Sequence, residues 1–198
     1  MLHGWTGDEN AMWIFAHRLP SNYWLIAPRG LYPAPWGGYS WHPQKWGIWP
    51  TVNDLQPAVE SLLNVLTPQY FPEIDFSLPQ NRNVNDRPIH LVGFSQGAAL
   101  ALTFALLYPL MVRAVAGLSG FLPEDAGEYI ADKPLRDLPV MLAHGTRDEL
   151  VPVQKARQAV GLLTQAGARV DYCEDDVGHK LSVICFRSLE VFFQDLSL

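Results

Sequence analysis

The sequence predicts an α/β domain with a mainly parallel central sheet flanked by helices. Three observations carry this. Short apolar runs of strand length alternate with longer amphipathic stretches along the chain. Three of the runs are nearly continuous in apolar residues, which suits strands buried on both faces. Hydrophobic residues make up 48% of the 198 positions against 17% charged, enough for one filled core and incompatible with disorder of the whole chain. Residues 1–198 are therefore read as a single domain.

The elements follow in order. His3-Gly4-Trp5-Thr6-Gly7-Asp8 reads as a glycine-bearing turn before a helical pattern from Glu9 to Leu19. Tyr23 to Ala27 reads as a strand. Pro28 to Pro50 breaks the rhythm, holding Trp36, Trp41, Trp46 and Trp49 in a stretch too rich in Pro and Gly for a helix. It reads either as a hydrophobic cluster under a long loop or as a substrate-facing wall. Val52, Leu55, Val59, Leu62, Leu63 and Leu66 recur at helical spacing. Phe71 to Arg87 is polar and Pro/Asn-rich, a surface excursion. Strand Ile89 to Gly93 leads into a helical run from Ala98 to Tyr108. Further strands are Ala114 to Leu118, Val140 to His144 and Arg169 to Cys173. A helix through Ala156, Ala159, Val160 and Leu163 stops at Gly167, and Leu181 to Leu196 gives a closing helix.

Composition excludes some functions. Lys and Arg number 14 against 20 Asp and Glu, a net charge of −6, which disfavours a nucleic-acid or anionic-membrane surface. No apolar run approaches the roughly 18–20 residues of a membrane span. Cys173 and Cys185 lack CxxC spacing, so neither a disulfide framework nor a cysteine-rich zinc site is expected. No basic-then-apolar signal segment is visible, and a reducing cytoplasm is the expected setting. No metal or organic cofactor is expected.

The chemistry concentrates after strands, where ligands of parallel sheets bind. Gly93-Phe94-Ser95-Gln96-Gly97 follows a strand and opens a helix. A serine on that sharp turn projects its hydroxyl from the sheet, and its glycines leave room for the turn. Serine needs a general base and the base an orienting carboxylate, in the chain order Ser, Asp or Glu, His. His179, in Val177-Gly178-His179-Lys180, suits the base. Asp148, just past the strand Val140 to His144, suits the carboxylate. His144 and Glu149 are the rivals, His144 reading as a structural turn residue. Glu174, Asp175 and Asp176 read as a solvated acidic turn. Backbone N–H groups of Trp5 and Gln96 are the candidate oxyanion donors, with no role required of the Gln96 side chain. Trp41, Phe121 and Val151, on strand-end loops, are candidate acyl-site residues, and short to medium acyl chains are expected.

At this point the chain resembles a family. Leu2-His3-Gly4-Trp5-Thr6-Gly7-Asp8-Glu9, Pro28-Arg29-Gly30, Gly38-Tyr39-Ser40-Trp41, Gly93-Phe94-Ser95-Gln96-Gly97, His144-Gly145-Thr146-Arg147-Asp148 and Gly178-His179 occur in the order seen in the carboxylesterase/phospholipase group of the α/β-hydrolase superfamily, which includes the acyl-protein thioesterases. The resemblance implies an α/β-hydrolase fold and a lidless cytosolic serine hydrolase of esters or thioesters, with Ser95, Asp148 and His179 as triad. The partner it implies is a small acyl ester or thioester. Acyl-protein thioesterase or lysophospholipase activity on the same triad, or a non-catalytic ligand-binding scaffold, are the alternatives. Members have a central strand immediately before the His-Gly turn. Here only Met1 and Leu2 precede His3, so the sheet is expected to lack its N-terminal strand. The chain is then expected to be marginal and to start downstream of that strand. The alternative is direct pairing of Tyr23 to Ala27 with Ile89 to Gly93.

Overall fold

A computed structural model describes residues 1–43, 48–76 and 86–196. Four parallel strands form the main sheet in the order β3-β4-β5-β6, with β3 Ile89–Phe94, β4 Val112–Leu118, β5 Pro139–Gly145 and β6 Arg169–Asp175. A small antiparallel hairpin, β1 Tyr32–Pro33 with β2 Tyr39–Ser40, stands apart from it. The helices are α1 Val52–Val65, α2 Gln96–Leu107, α3 Val153–Gln165 and α4 Val183–Asp195. The Glu9 to Leu19 pattern is realised as a 3-10 helix, Ala11–Arg18.

Side-chain alternation along the strands divides the core in two. Leu91, Val115 and Leu142 face one cluster with α1, α2 and Leu163 of α3. Val92, Ala114, Ala116, Met141 and Ala143 face the other, closed by Leu189, Phe192 and Phe193 of α4 and by Met12 and Phe15. Helix α2 is apolar on every side because α1 and the sheet cover it; Ala98, Ala99, Leu100 and Phe104 are all buried. Helix α1 begins at a capping box, in which the Asp54 N–H donates to Thr51 Oγ1 at 3.2 Å and the Thr51 N–H to Asp54 Oδ2 at 2.8 Å.

The structure corrects the sequence reading in two places. Tyr23 to Ala27 is not a strand. It runs beside β3 across a groove of about 520 Å³ whose walls include Leu25 and Ile26 on one side and Ile89–Val92 on the other. Among the described residues only Leu2 bridges the outer edge of β3, its N–H donating to the Val92 carbonyl at 2.7 Å and its carbonyl accepting from the Phe94 N–H at 3.0 Å. The two apolar runs therefore do not pair directly. Strand character needs a backbone partner about 4.8 Å away, which apolar composition cannot supply.

The second correction concerns cysteine. Cys173 of β6 and Cys185 of α4 are joined by a disulfide, with Cα atoms 5.7 Å apart. Packing of α4 against β6 brings them together, which spacing in the sequence does not show. The bridge removes the cysteine argument for a reducing compartment. Among the described residues no helix is long and apolar enough to cross a membrane.

The tryptophan-rich stretch is buried in part. Trp41 is 1% exposed, Trp36 is 67% exposed, and Trp49 packs edge-on against Phe121 with ring centroids 4.6 Å apart. Trp46 lies outside the described residues, as does the middle of the Phe71 to Arg87 excursion.

Candidate active site

Ser95 sits between the last residue of β3 and the first of α2 with φ 54° and ψ −118°, a strained conformation for a residue with a Cβ. The turn closes because Gly93 and Gly97, two residues to either side of Ser95, have no side chains. A Cβ on Gly93 would lie 2.2 Å from the Gly97 carbonyl oxygen, and one on Gly97 2.1 Å from that of Leu2. The Ser95 N–H is tied to the Leu118 carbonyl at 2.8 Å, anchoring the turn to β4. A Cβ on Gly4 would stand 3.1 Å from the Ser95 Cβ, so the N-terminal turn lies directly against the serine.

Asp148 follows β5, and its side chain is wholly buried. Oδ1 accepts from the N–H groups of Leu150 and Val151, each at 2.9 Å. Oδ2 accepts from Nδ1 of His179 at 2.7 Å. The His179 loop is seated on the end of β5: Gly145 has no room for a Cβ against Val177 and Gly178 oxygens 2.3 Å away, and the Arg147 N–H donates to the Val177 carbonyl at 3.0 Å. The His179 ring packs on Phe94, the residue before Ser95, with centroids 5.0 Å apart. With Nδ1 engaged, Nε2 is the nitrogen left for a second partner.

His144 lies 3.4 Å from Asp148 Oδ2, but its Nε2–H donates to the Val151 carbonyl at 2.8 Å. Burial lowers its pKa and keeps the ring neutral. It braces the loop that carries Asp148. Glu149 is exposed beside it.

Trp5 is carried by a turn that the Gly7 N–H closes on the Gly4 carbonyl at 3.0 Å, and its ring meets Trp36 edge-on at 5.2 Å. The hairpin holds this turn, with the Thr6 N–H bonded to the Tyr39 carbonyl at 3.0 Å. Gln96, the first residue of α2, is 4% exposed. The candidate acyl-site residues Trp41, Phe121 and Val151 are packed inside, at 1%, 5% and 4% exposure. Val151 supports Asp148 and His144 through its backbone. Sequence reasoning passed over His3, Ser40 and the side chain of Gln96, all buried within this region. A glutamine between a nucleophile and a glycine was the one signal that could have pointed to them. Among the described residues no cluster of three His, Cys, Asp or Glu is placed to hold a metal ion.

A parallel sheet with a serine on a strained strand-to-helix turn, and a carboxylate–histidine pair at neighbouring strand ends, defines an α/β-hydrolase. The chain belongs to the phospholipase/carboxylesterase family, whose sequence profile matches residues 1–197. Carboxylesterase SOBER1 of Arabidopsis thaliana is 32% identical over 101 residues, 50% of this chain and 44% of that protein. Acyl-protein thioesterase 1 of Schizosaccharomyces pombe is 25% identical over 201 residues, 98% of this chain and 82% of that protein. A probable inactive carboxylesterase of Oryza sativa subsp. japonica is 29% identical over 99 residues, 49% of this chain. The matched stretches span 38%, 40% and 44% of the first three curated relatives. The crystal structure of Arabidopsis SOBER1 superposes with a TM-score of 0.77 at 22% identity, covering 100% of this chain and 97% of that one. The Bacillus cereus carboxylesterase gives 0.77 at 20%, covering 98% and 86%. Both share the fold.

Proposed function

We propose that the protein is a serine hydrolase of carboxylic esters with Ser95, Asp148 and His179 as its triad. The observation that carries the reading is the 2.7 Å hydrogen bond from His179 to buried Asp148, beside the strained turn that bears Ser95. Ser95 Oγ attacks the acyl carbonyl while His179 Nε2 takes its proton. Asp148, held by two backbone N–H groups, keeps the proton of the neutral imidazole on Nδ1 and stabilises the imidazolium that forms. The N–H groups of Trp5 and Gln96 receive the charge on the carbonyl oxygen. His179 returns the proton to the leaving alcohol, which leaves an acyl-Ser95. Water, activated by the same imidazole, releases the acid. Short to medium acyl esters are the proposed substrate class. Thioesters share the tetrahedral chemistry, and relatives named acyl-protein thioesterase 1 favour including them.

A fluorophosphonate probe should label the wild type and not Ser95→Ala, and the variant should lose roughly 10³–10⁶-fold in kcat while remaining folded. Esters and thioesters of graded acyl length then rank substrates. A folded Ser95→Ala protein within a few-fold of wild type would end the proposal, and a preference for emulsified long-chain lipid would end the acyl-length part.

A further inference from the structure

The two N–H groups assigned to the oxyanion come from distant stretches of chain, Trp5 in the N-terminal turn and Gln96 at the start of α2. Such donors help only if their separation is set before the charge appears. A buried tryptophan joins the two stretches. The Trp41 backbone N–H donates to Gln96 Oε1 at 2.8 Å, and its indole Nε1–H donates to the His3 carbonyl at 2.8 Å. The Ser40 hydroxyl, which donates to the His42 carbonyl at 2.6 Å, lies 3.2 Å from the same Oε1. The Trp41 ring packs on the His3 imidazole with centroids 4.8 Å apart.

His3 continues the connection. Its Nε2 accepts from the Gly30 N–H at 2.9 Å, so the proton sits on Nδ1, which donates to the Gly4 carbonyl at 2.7 Å. Burial lowers the His3 pKa and keeps this neutral tautomer. Gly4 precedes Trp5 and packs on Ser95. Exposure is 0% at His3, 1% at Trp41, 2% at Ser40 and 4% at Gln96, so these bonds form away from bulk water. A lost partner there leaves a buried polar group unpaired.

We propose that Trp41, with the side chains of Gln96 and His3, forms a strut that fixes the Trp5 and Gln96 N–H groups relative to each other. Trp41 is thereby a positioning residue rather than a wall of the acyl pocket. This rests on the proposed Ser95 hydrolase reading. The strut acts on charge present only in the transition state, so its loss lowers kcat and leaves KM in place.

Trp41→Phe removes the indole donor and keeps an aromatic ring. Gln96→Met removes the acceptor and keeps the length, while Gln96→Glu restores an acceptor. Each folded variant is compared with wild type for kcat, KM, fluorophosphonate labelling rate and the ratio of oxoester to thionoester hydrolysis. Sulfur is a weak acceptor, so that ratio reports the oxyanion donors rather than the amount of folded protein. We expect Trp41→Phe and Gln96→Met each to lower kcat about 10–100-fold, with KM within about threefold. The oxoester to thionoester ratio should fall with kcat, and Gln96→Glu should recover part of both. Unchanged kcat, or a fall with the ratio unaltered, in either variant overturns the strut. Should Trp41→Phe fail to fold, Gln96→Met and Gln96→Glu decide the question. A wild type that the probe does not label would instead remove the hydrolase reading itself.

Discussion

Two imidazoles lie near the same carboxylate oxygen, His179 at 2.7 Å and His144 at 3.4 Å from Asp148 Oδ2, and their surroundings divide the work. The His144 side chain is 1% exposed and its Nε2–H is committed to the Val151 carbonyl; that of His179 is 17% exposed beside the Phe94 ring. His179→Gln should therefore lower kcat by at least about 10³-fold with little change in melting temperature. His144→Gln should keep activity within about tenfold and cost about 1–3 kcal/mol of stability. Steady-state rates and thermal melts on the two proteins check this, and an inactive His144 variant beside a working His179 variant would reverse the assignment. The sequence, through turn context, strand-end position and chain order, singled out Ser95, Asp148 and His179 as candidates. It could not find His3 or the amide of Gln96, because their roles are contacts between segments far apart in sequence.

Among the elements, β3 has two edges that differ. Gly93 and Leu91 face β4, whereas the Val92 carbonyl and the Phe94 N–H face Leu2. Alternation along the strand then turns the N–H groups of His90 and Val92 toward the groove. Amide hydrogen exchange followed by NMR should find Leu91, Gly93 and Phe94 protected, with His90 and Val92 exchanging at least about tenfold faster. Uniform protection along β3 would show that the groove edge is paired in solution. The sequence pattern located β3, β4, β5, β6 and the helices because burial on one or both faces leaves a period of two or of 3.6. It misread Tyr23 to Ala27 since a strand is a property of a pair. It missed the Cys173–Cys185 bridge since two half-apolar stretches say nothing of which face meets which.

At the scale of the whole molecule, imidazoles withdrawn from water contribute to the response to acid, His3 and His144 buried and His90 half-buried on the groove wall. The His90 ring stacks on Tyr23 at 4.8 Å and meets Phe193 edge-on at 5.8 Å. Burial, with Arg113 adding to it, pushes its pKa down to about 4. The unfolded chain takes up that proton near pH 6.5, while the folded chain refuses it until about pH 4. Stability therefore falls as pH drops through that window, by about 3 kcal/mol from this residue. His3 and His144, also lowered by burial, act in the same direction. His90→Phe should flatten the decline of Tm between pH 6.5 and 4. Parallel Tm curves for wild type and variant would refute the assignment to His90.

The sequence by itself determined the fold class and the order of the candidate catalytic groups. Apolar periodicity and glycine-flanked turns are local consequences of burial and backbone sterics, and a parallel sheet gathers the residues just past its strand ends on one rim. Only the tertiary structure decided which residues brace the site. Trp41 read as a substrate wall and lies inside as a strut, Gln96 carries a side-chain bond as well as a backbone N–H, and Tyr23 to Ala27 lies across the groove from β3, with the Met1 amino group donating to the Ile26 carbonyl at 2.7 Å. Each of these depends on the distance between segments remote in sequence, and hydrogen bonding, unlike burial, requires that distance to be right within a few tenths of an ångström.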